Sequence, residues 1–82
     1  MAFEAWIQDR EGTYYVLKGE GGTIHVWRQD GIKHGLGEAF TTVGEAISAA
    51  NEDSQERDGG GIDADSYNLT SGDDTDYWDD DG

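Results

Sequence analysis

Apolar and polar residues alternate at the start of the chain in the period-two pattern of a half-buried β-strand. Phe3, Ala5 and Ile7 alternate with polar or larger side chains. Two further apolar runs, rich in aromatic and β-branched residues, extend from Thr13 to Lys18 and from Thr23 to Arg28. Because the connections between these runs are short and contain glycine, the pattern predicts three antiparallel strands in a meander.

The second and third predicted strands carry apolar residues on both faces, so alternation alone does not decide which face is buried. Tyr15 and Leu17 alternate with Tyr14 and Val16. We expect Tyr15, Leu17 and Trp27 to share the buried face, under the helix described next.

A helix is predicted from Val43 to Arg57, after a glycine-containing segment. Thr42 and Glu45 have the spacing of a capping box, and Gly59 provides a stop signal. The helix has a narrow apolar stripe at helical spacing, formed by Val43, Ala46, Ile47 and Ala50. Such a helix needs a partner layer, and we expect the stripe to pack on one face of the meander, with Phe40 completing the core.

Several residues of the three predicted strands and their turns have a characteristic spacing, namely Phe3, Glu4, Asp9, Gly12, Tyr14, Leu17, Lys18, Gly22 and Ile24. This spacing is similar to the opening of small YegP-like β-β-β-α proteins. The resemblance covers less than a third of the chain, and it implies the order of elements without implying a mechanism.

The net charge of −14 is concentrated at the C-terminal end of the chain. Residues 51–82 contain twelve acids against Arg57 alone, and so carry −11 of that charge. From Gly59 onward the composition combines glycine, carboxylates and few apolar residues, which favours disorder. We expect residues 59–82 to form a flexible acidic tail that contains aromatic residues. Docking of Tyr67 to Leu69 as an added edge strand is the alternative.

These elements predict an α+β fold: a three-stranded antiparallel meander with one C-terminal helix packed on one face, followed by the acidic tail. A fourth short strand between Ile32 and Phe40 is an alternative. The 82 residues suffice for one small domain, expected over residues 1–58. Since a core of this size supplies little stability and the chain has no cysteine for disulfides, a homodimer is a reasonable expectation. No signal peptide or membrane span is evident, so a soluble cytoplasmic protein is expected.

The sequence offers little for catalysis or metal binding. His25 and His34 are the only histidines, and we expect them on the solvent side of a strand and in a loop. The acidic runs fail the calcium-loop pattern, because Tyr67 or Trp78 occupies the third ligand position. No residues have the spacing of a nucleophile and base, or of a phosphate loop. We therefore expect no enzyme activity, no cofactor and no metal.

Aromatic residues among carboxylates point to a binding role for the C-terminal end. Regularly spaced negative charge with aromatic rings resembles the features that nucleic-acid-binding grooves recognise. The predicted partner-binding residues are Asp73, Asp74, Asp76, Tyr77, Trp78, Asp79, Asp80 and Asp81. The leading hypothesis is a non-catalytic acidic module that engages a basic, nucleic-acid-binding protein, as a nucleic-acid mimic or inhibitor, without direct contact with nucleic acid or membrane. The alternative is a small structural or dimeric protein of a salt-adapted, halophilic cell.

Overall fold

The described part of the chain forms one sheet of four strands and one helix. The computed structural model describes residues 2–31, 35–36 and 39–78. The elements are β1 (Phe3–Asp9), β2 (Tyr14–Glu20), β3 (Thr23–Arg28), α1 (Val43–Glu56), β4 (Ile62–Gly72) and a 3₁₀ turn (Thr75–Tyr77). All strand pairs are antiparallel, in the spatial order β3-β2-β1-β4. The α+β fold is therefore confirmed, with four strands instead of three.

The additional strand, β4, comes from the segment that was expected to be a flexible tail. It pairs with the edge of β1 that β2 leaves free, which makes β1 a central strand. The alternative expectation, in which residues 67–69 dock as an edge strand, has the correct position but too short a length. Composition favoured disorder because β4 buries little side-chain surface, Ile62 being its one buried residue. It is held instead by backbone hydrogen bonds to the N–H and C=O groups of β1, which amino-acid composition does not reflect.

The segment before the helix follows the outer edge of β3. Phe40 and Ile24 form an isolated bridge with N···O distances of 2.7 and 2.9 Å, and Leu36 N donates to Val26 O at 2.9 Å. Within the described residues the predicted short strand between Ile32 and Phe40 is thus reduced to this bridge. Residues 32–34 and 37–38, including His34, lie outside the described part of the chain.

One face of the sheet, here called the inner face, packs against α1. Its buried side chains are Phe3, Ala5, Ile7, Tyr15, Leu17, Ile24 and Val26. From the helix, Val43, Ala46 and Ala50 are fully buried in the same cluster, as their helical spacing predicted. Ile62 and Tyr77 complete the core from the C-terminal end.

The expected position of Trp27 under the helix is wrong. In the register of β2 and β3, Trp27 lies opposite Val16, whereas Leu17 lies opposite Val26. Directly paired residues project to the same face, so Trp27 shares the opposite face of the sheet with Val16. Ile24 and Val26 fill the space under α1 instead. His25, two residues before Trp27, is exposed on that same opposite face, as expected.

β4 deviates strongly from regular pairing near its first half. Trp6 pairs with Asn68 and Gln8 with Asp63, so five residue steps of β4 lie opposite two steps of β1. The Ser66 hydroxyl oxygen accepts a hydrogen bond from Gln8 N at 2.8 Å in this bulge. A side chain therefore replaces the backbone acceptor that the bulge removes from the ladder.

The helix begins at Val43 with Thr42 as its N-cap residue. Thr42 Oγ1 accepts a hydrogen bond from Glu45 N at 3.1 Å, as the capping box predicted. The Glu45 carboxylate reaches one residue further back than expected, because it accepts from the Thr41 hydroxyl at 2.6 Å and from Thr41 N at 3.3 Å. Both threonines thus fix the entry into α1.

Replacing Thr42 with Ala should lower the free energy of unfolding by about 1 kcal/mol, since the Glu45 amide loses its acceptor. Urea unfolding followed by circular dichroism measures the change. Thr42→Ser keeps a hydroxyl acceptor and should stay close to the parent protein. Equal stability of Thr42→Ala and the parent would show that the N-cap hydrogen bond does not contribute.

Candidate interaction surfaces

A cluster of charged side chains and one tyrosine joins the C-terminal end of α1 to the sheet. This ion-pair cluster consists of Asp9, Tyr15, Arg28, Asp30, Asp53 and Arg57. Asp53 Oδ2 is its centre, accepting hydrogen bonds from Tyr15 OH at 2.7 Å, Arg28 at 2.9 Å and Arg57 Nε at 3.2 Å. Arg28 also pairs with Asp30. The cluster ties β2, β3 and α1 together.

Asp9 is the buried carboxylate of the cluster, with 3% of its surface exposed. Its Oδ1 accepts from the amides of Glu11 and Thr13, and its Oδ2 accepts from the Ser54 hydroxyl at 3.0 Å and Arg57 at 3.1 Å. Burial acts to raise the pKa of Asp9, but the hydrogen bonds from Thr13 and Ser54 outweigh it and hold the pKa below its ordinary value. Both carboxylate oxygens of Asp9 are therefore engaged in hydrogen bonds within the domain.

Stability should fall at both ends of the pH range because of this cluster. Burial and the hydrogen bond to Asp53 raise the pKa of Tyr15 to about 12. An unfolded tyrosine ionises at about pH 10. The contribution of Tyr15 to stability is therefore complete below that pH, and it is lost as pH rises toward about 12. The pKa values of Asp9 and Asp53 are lowered despite burial, by their hydrogen-bond donors, so their contribution is lost as pH falls below about 4.

Urea unfolding at stepped pH measures both losses. In Tyr15→Phe the alkaline loss should shrink, because the phenol is absent. An identical alkaline decline in Tyr15→Phe and in the parent protein would contradict the assignment to Tyr15.

The structure divides the predicted partner-binding residues into buried and exposed groups. Tyr77 is 3% exposed, and its ring centroid lies 4.8 Å from that of Phe3. Asp74 is also buried, and its Oδ2 accepts from Tyr67 OH at 2.5 Å and from Trp78 Nε1 at 2.9 Å. Both residues therefore belong to the packed structure.

The other predicted residues face outward or lie outside the described chain. Asp73 and Asp76 are exposed, and Asp73 Oδ1 accepts from the amide and hydroxyl of Thr75. Trp78 is 42% exposed and packs edge-on against Tyr67, with the ring centroids 5.3 Å apart. Residues 79–81 are outside the described residues. The segment thus presents Asp73, Asp76 and Trp78 to solvent.

Most exposed carboxylates have no cation beside them. In the described part of the chain, all five ion pairs lie within the ion-pair cluster. The exposed acids of α1 are Glu45, Glu52 and Glu56. Those of β4 and the following turn are Asp63, Asp65, Asp73 and Asp76. In the cluster two arginines therefore offset two of the three carboxylate charges, whereas the carboxylates of these two acidic surfaces have no cation of the described residues beside them.

A second surface is the face of the sheet opposite α1, here called the outer face. It consists of Glu4, Trp6, Gln8, Tyr14, Val16, Lys18, His25 and Trp27. Among the described elements none covers it. Trp6, Val16 and Trp27 lie in one row across three strands, and Val16 is only 3% exposed between them. Sequence reasoning missed this surface, although Trp6 and Tyr14 already stood at outward positions of the alternation.

Two shallow grooves cross the outer face. They have volumes of about 420 and 490 Å³ and share Glu4, Lys18 and Trp27 in their walls. Lys18 Nζ lies 5.8 Å from the centre of the Trp27 ring, which is within cation–π distance. The Glu4 carboxylate accepts a hydrogen bond from Trp6 Nε1 at 2.9 Å. The face is therefore aromatic at its centre and carries both signs of charge.

The described residues match no known type of metal site, and the chain matches no known protein. In residues 2–31, 35–36 and 39–78, no three histidine or carboxylate side chains are placed to hold a metal ion. No helix in this part of the chain is long and apolar enough to cross a membrane. No protein-family model, curated protein or solved structure matches the chain at a significant level.

Proposed function

We propose that the chain is a non-catalytic acidic binding module that engages the basic surface of a nucleic-acid-binding protein in the cytoplasm, as an inhibitor or mimic of nucleic acid. The supporting observation is the unpaired negative charge along β4 and the 3₁₀ turn, at Asp63, Asp65, Asp73 and Asp76. Charge that is not neutralised within the molecule attracts a cationic partner and steers its approach.

Trp78 adds an aromatic contact to this acidic surface. Its indole N–H is held by Asp74 at 2.9 Å and its ring rests against Tyr67, yet 42% of the residue is exposed. An aromatic ring held in place loses little conformational entropy when a partner stacks on it. Tyr77, predicted to act with Trp78, is packed on Phe3, so the aromatic part of the proposal rests on Trp78.

The test compares two variants that lose equal charge at different places. Asp65→Asn/Asp76→Asn removes two carboxylates from the C-terminal surface, and Glu52→Gln/Glu56→Gln removes two from α1. Each immobilised full-length chain is exposed to a cell lysate, and retained proteins are eluted with double-stranded DNA. We expect the parent chain and the α1 variant to retain DNA-eluted proteins, and the C-terminal variant to retain at least about tenfold less.

Each other outcome speaks against the proposal. Equal loss in both variants would mean that any polyanion binds in this way. Retained proteins that DNA does not elute would mean that the partner surface is not a nucleic-acid site. Trp78→Ala keeps every carboxylate, and unchanged retention by this variant would remove the aromatic part of the proposal.

The alternative, a structural or dimeric protein of a salt-adapted cell, draws support from the acids of α1. Glu45, Glu52 and Glu56 are exposed on α1 and not on β4 or the 3₁₀ turn, so negative charge is not confined to one surface. Such a surface repels itself unless counterions screen it. A salt-adapted domain should lose structure at an ionic strength of about 10 mM, where the screening length is about 30 Å, and regain it in molar salt. Full structure at low salt would contradict this alternative.

A further inference from the structure

We infer that a second copy of this chain covers the outer face, so that two sheets pack face to face around a two-fold axis. The inference uses a different surface from the acidic one proposed above and stands independently of it. It supplies an interface for the dimer that the small size of the domain predicts.

The centre of the outer face has the composition of an interface core. Trp6 and Trp27 flank Val16 in one row, and Tyr14 packs edge-on against Trp6 with ring centroids 5.8 Å apart. Tyr14 nevertheless remains 46% exposed. Aromatic residues are enriched at the centre of interfaces, and an apolar sheet face is normally covered by a second layer about 10 Å away.

The charges on the outer face favour a second copy over nucleic acid. Glu4 and Lys18 are directly opposite each other in the β1–β2 register, but Glu4 bonds to Trp6 and Lys18 lies over Trp27. A face that carries one group of each sign can satisfy both across a two-fold axis, since the same surface is used twice. Arg28, which lines the groove, is held by Asp30 and Asp53. Too few cations remain here to bind a phosphate backbone to a chain of net charge −14.

The area of the outer face is sufficient for a reversible dimer. Four strands spaced about 4.8 Å apart give a width of roughly 19 Å, and seven residues at about 3.3 Å each give a length of roughly 23 Å. Two such faces bury roughly 900 Å² in projection, which lies in the range of weak, transient interfaces, below about 1,200 Å². We therefore expect association that depends on protein concentration.

Sedimentation equilibrium of the full chain tests the inference over a range of concentrations. The parent protein should reach the mass of a dimer. Trp27→Glu and Tyr14→Glu place a charge on the outer face, and each should weaken association at least about 30-fold. Leu69→Glu is the matched control: Leu69 is 38% exposed but pairs with Ala5, whose side chain lies on the inner face. This control should dimerise like the parent.

Three sedimentation results would overturn the inference. The first is a parent protein that stays monomeric up to about 1 mM, which corresponds to a weak binding free energy of about −4 kcal/mol. The others are dimerisation of both outer-face variants and loss of association in Leu69→Glu. Circular dichroism shows whether each variant is folded. If Trp27→Glu is unfolded, Tyr14→Glu provides the test. Salt gives a second readout, because screening should strengthen association of two acidic chains and weaken binding to a basic partner. Displacement of the dimer by single-stranded DNA would identify nucleic acid as the occupant instead.

Discussion

A chain that ends at residue 58 is expected to be unfolded, because β4 and the 3₁₀ turn complete the core. Ile62 and Tyr77 are 8% and 3% exposed in the same cluster as the inner face. Burying one large apolar side chain contributes about 1.5 to 3 kcal/mol. The core of a domain below about 70 residues rarely supplies more than about 3 to 5 kcal/mol in total, so losing both residues removes most of it.

The truncation also removes hydrogen bonds that hold the sheet and the helix together. β1 loses its backbone hydrogen bonds to β4. Asn51 Oδ1 loses the hydrogen bond that it accepts from the Ile62 amide at 2.9 Å. Circular dichroism and urea unfolding of chains 1–58 and 1–78 provide the comparison. Chain 1–78 keeps every described element and should unfold cooperatively. Cooperative unfolding of chain 1–58 would show that the first three strands and α1 suffice as a domain.

Arg57→Ala is expected to destabilise the domain by about 3 kcal/mol or more, because it leaves a buried carboxylate without its cation. Arg57 contacts Asp9, whose side chain has no exposed surface, and also Asp53 and Tyr15. Arg57→Lys keeps the charge but not the shape of the guanidinium, so its loss should be intermediate. Arg10→Ala is the matched control, since Arg10 is exposed.

The pH dependence identifies the cause of the Arg57→Ala effect. Protonation of Asp9 and Asp53 removes the uncompensated charge, so the difference in unfolding free energy between variant and parent should narrow below about pH 4. Urea unfolding at stepped pH measures that difference. A difference that stays constant down to the acid transition would indicate that Arg57 contributes through packing alone.

The local sequence pattern was sufficient to predict the first three strands and the helix. Alternation in β1 and the apolar stripe of α1 each match one buried face. β4 was not predictable in this way, because it contributes one buried residue and is held by its backbone and by Ser66 at a bulge. Such a strand forms because β1 offers a free edge, and that edge becomes visible only in the assembled sheet.

Face assignment failed where both faces carry apolar residues. Tyr15 and Trp27 are both aromatic, and only the register of β2 and β3 places them on opposite sides of the sheet. The same limit applies at the C-terminal end, where the sequence does not indicate which of the adjacent aromatic residues, Tyr77 or Trp78, is exposed. Tyr77 is buried because its ring packs against the ring of Phe3. Gly19 leaves room for the Phe3 ring, since a Cβ at Gly19 would lie 2.1 Å from Phe3.

The proposed acidic module is tested most directly by competition for its partner. A protein captured on the immobilised chain is purified, bound to a fluorescently labelled DNA oligonucleotide, and titrated with the full chain while anisotropy is followed. The account predicts that the chain displaces the DNA at about 50 mM salt, and that direct binding of the chain to the purified partner weakens as salt rises to about 200 mM. Asp65→Asn/Asp76→Asn should displace less DNA than Glu52→Gln/Glu56→Gln. Anisotropy that rises on titration, because DNA and chain bind the partner together, would contradict the account.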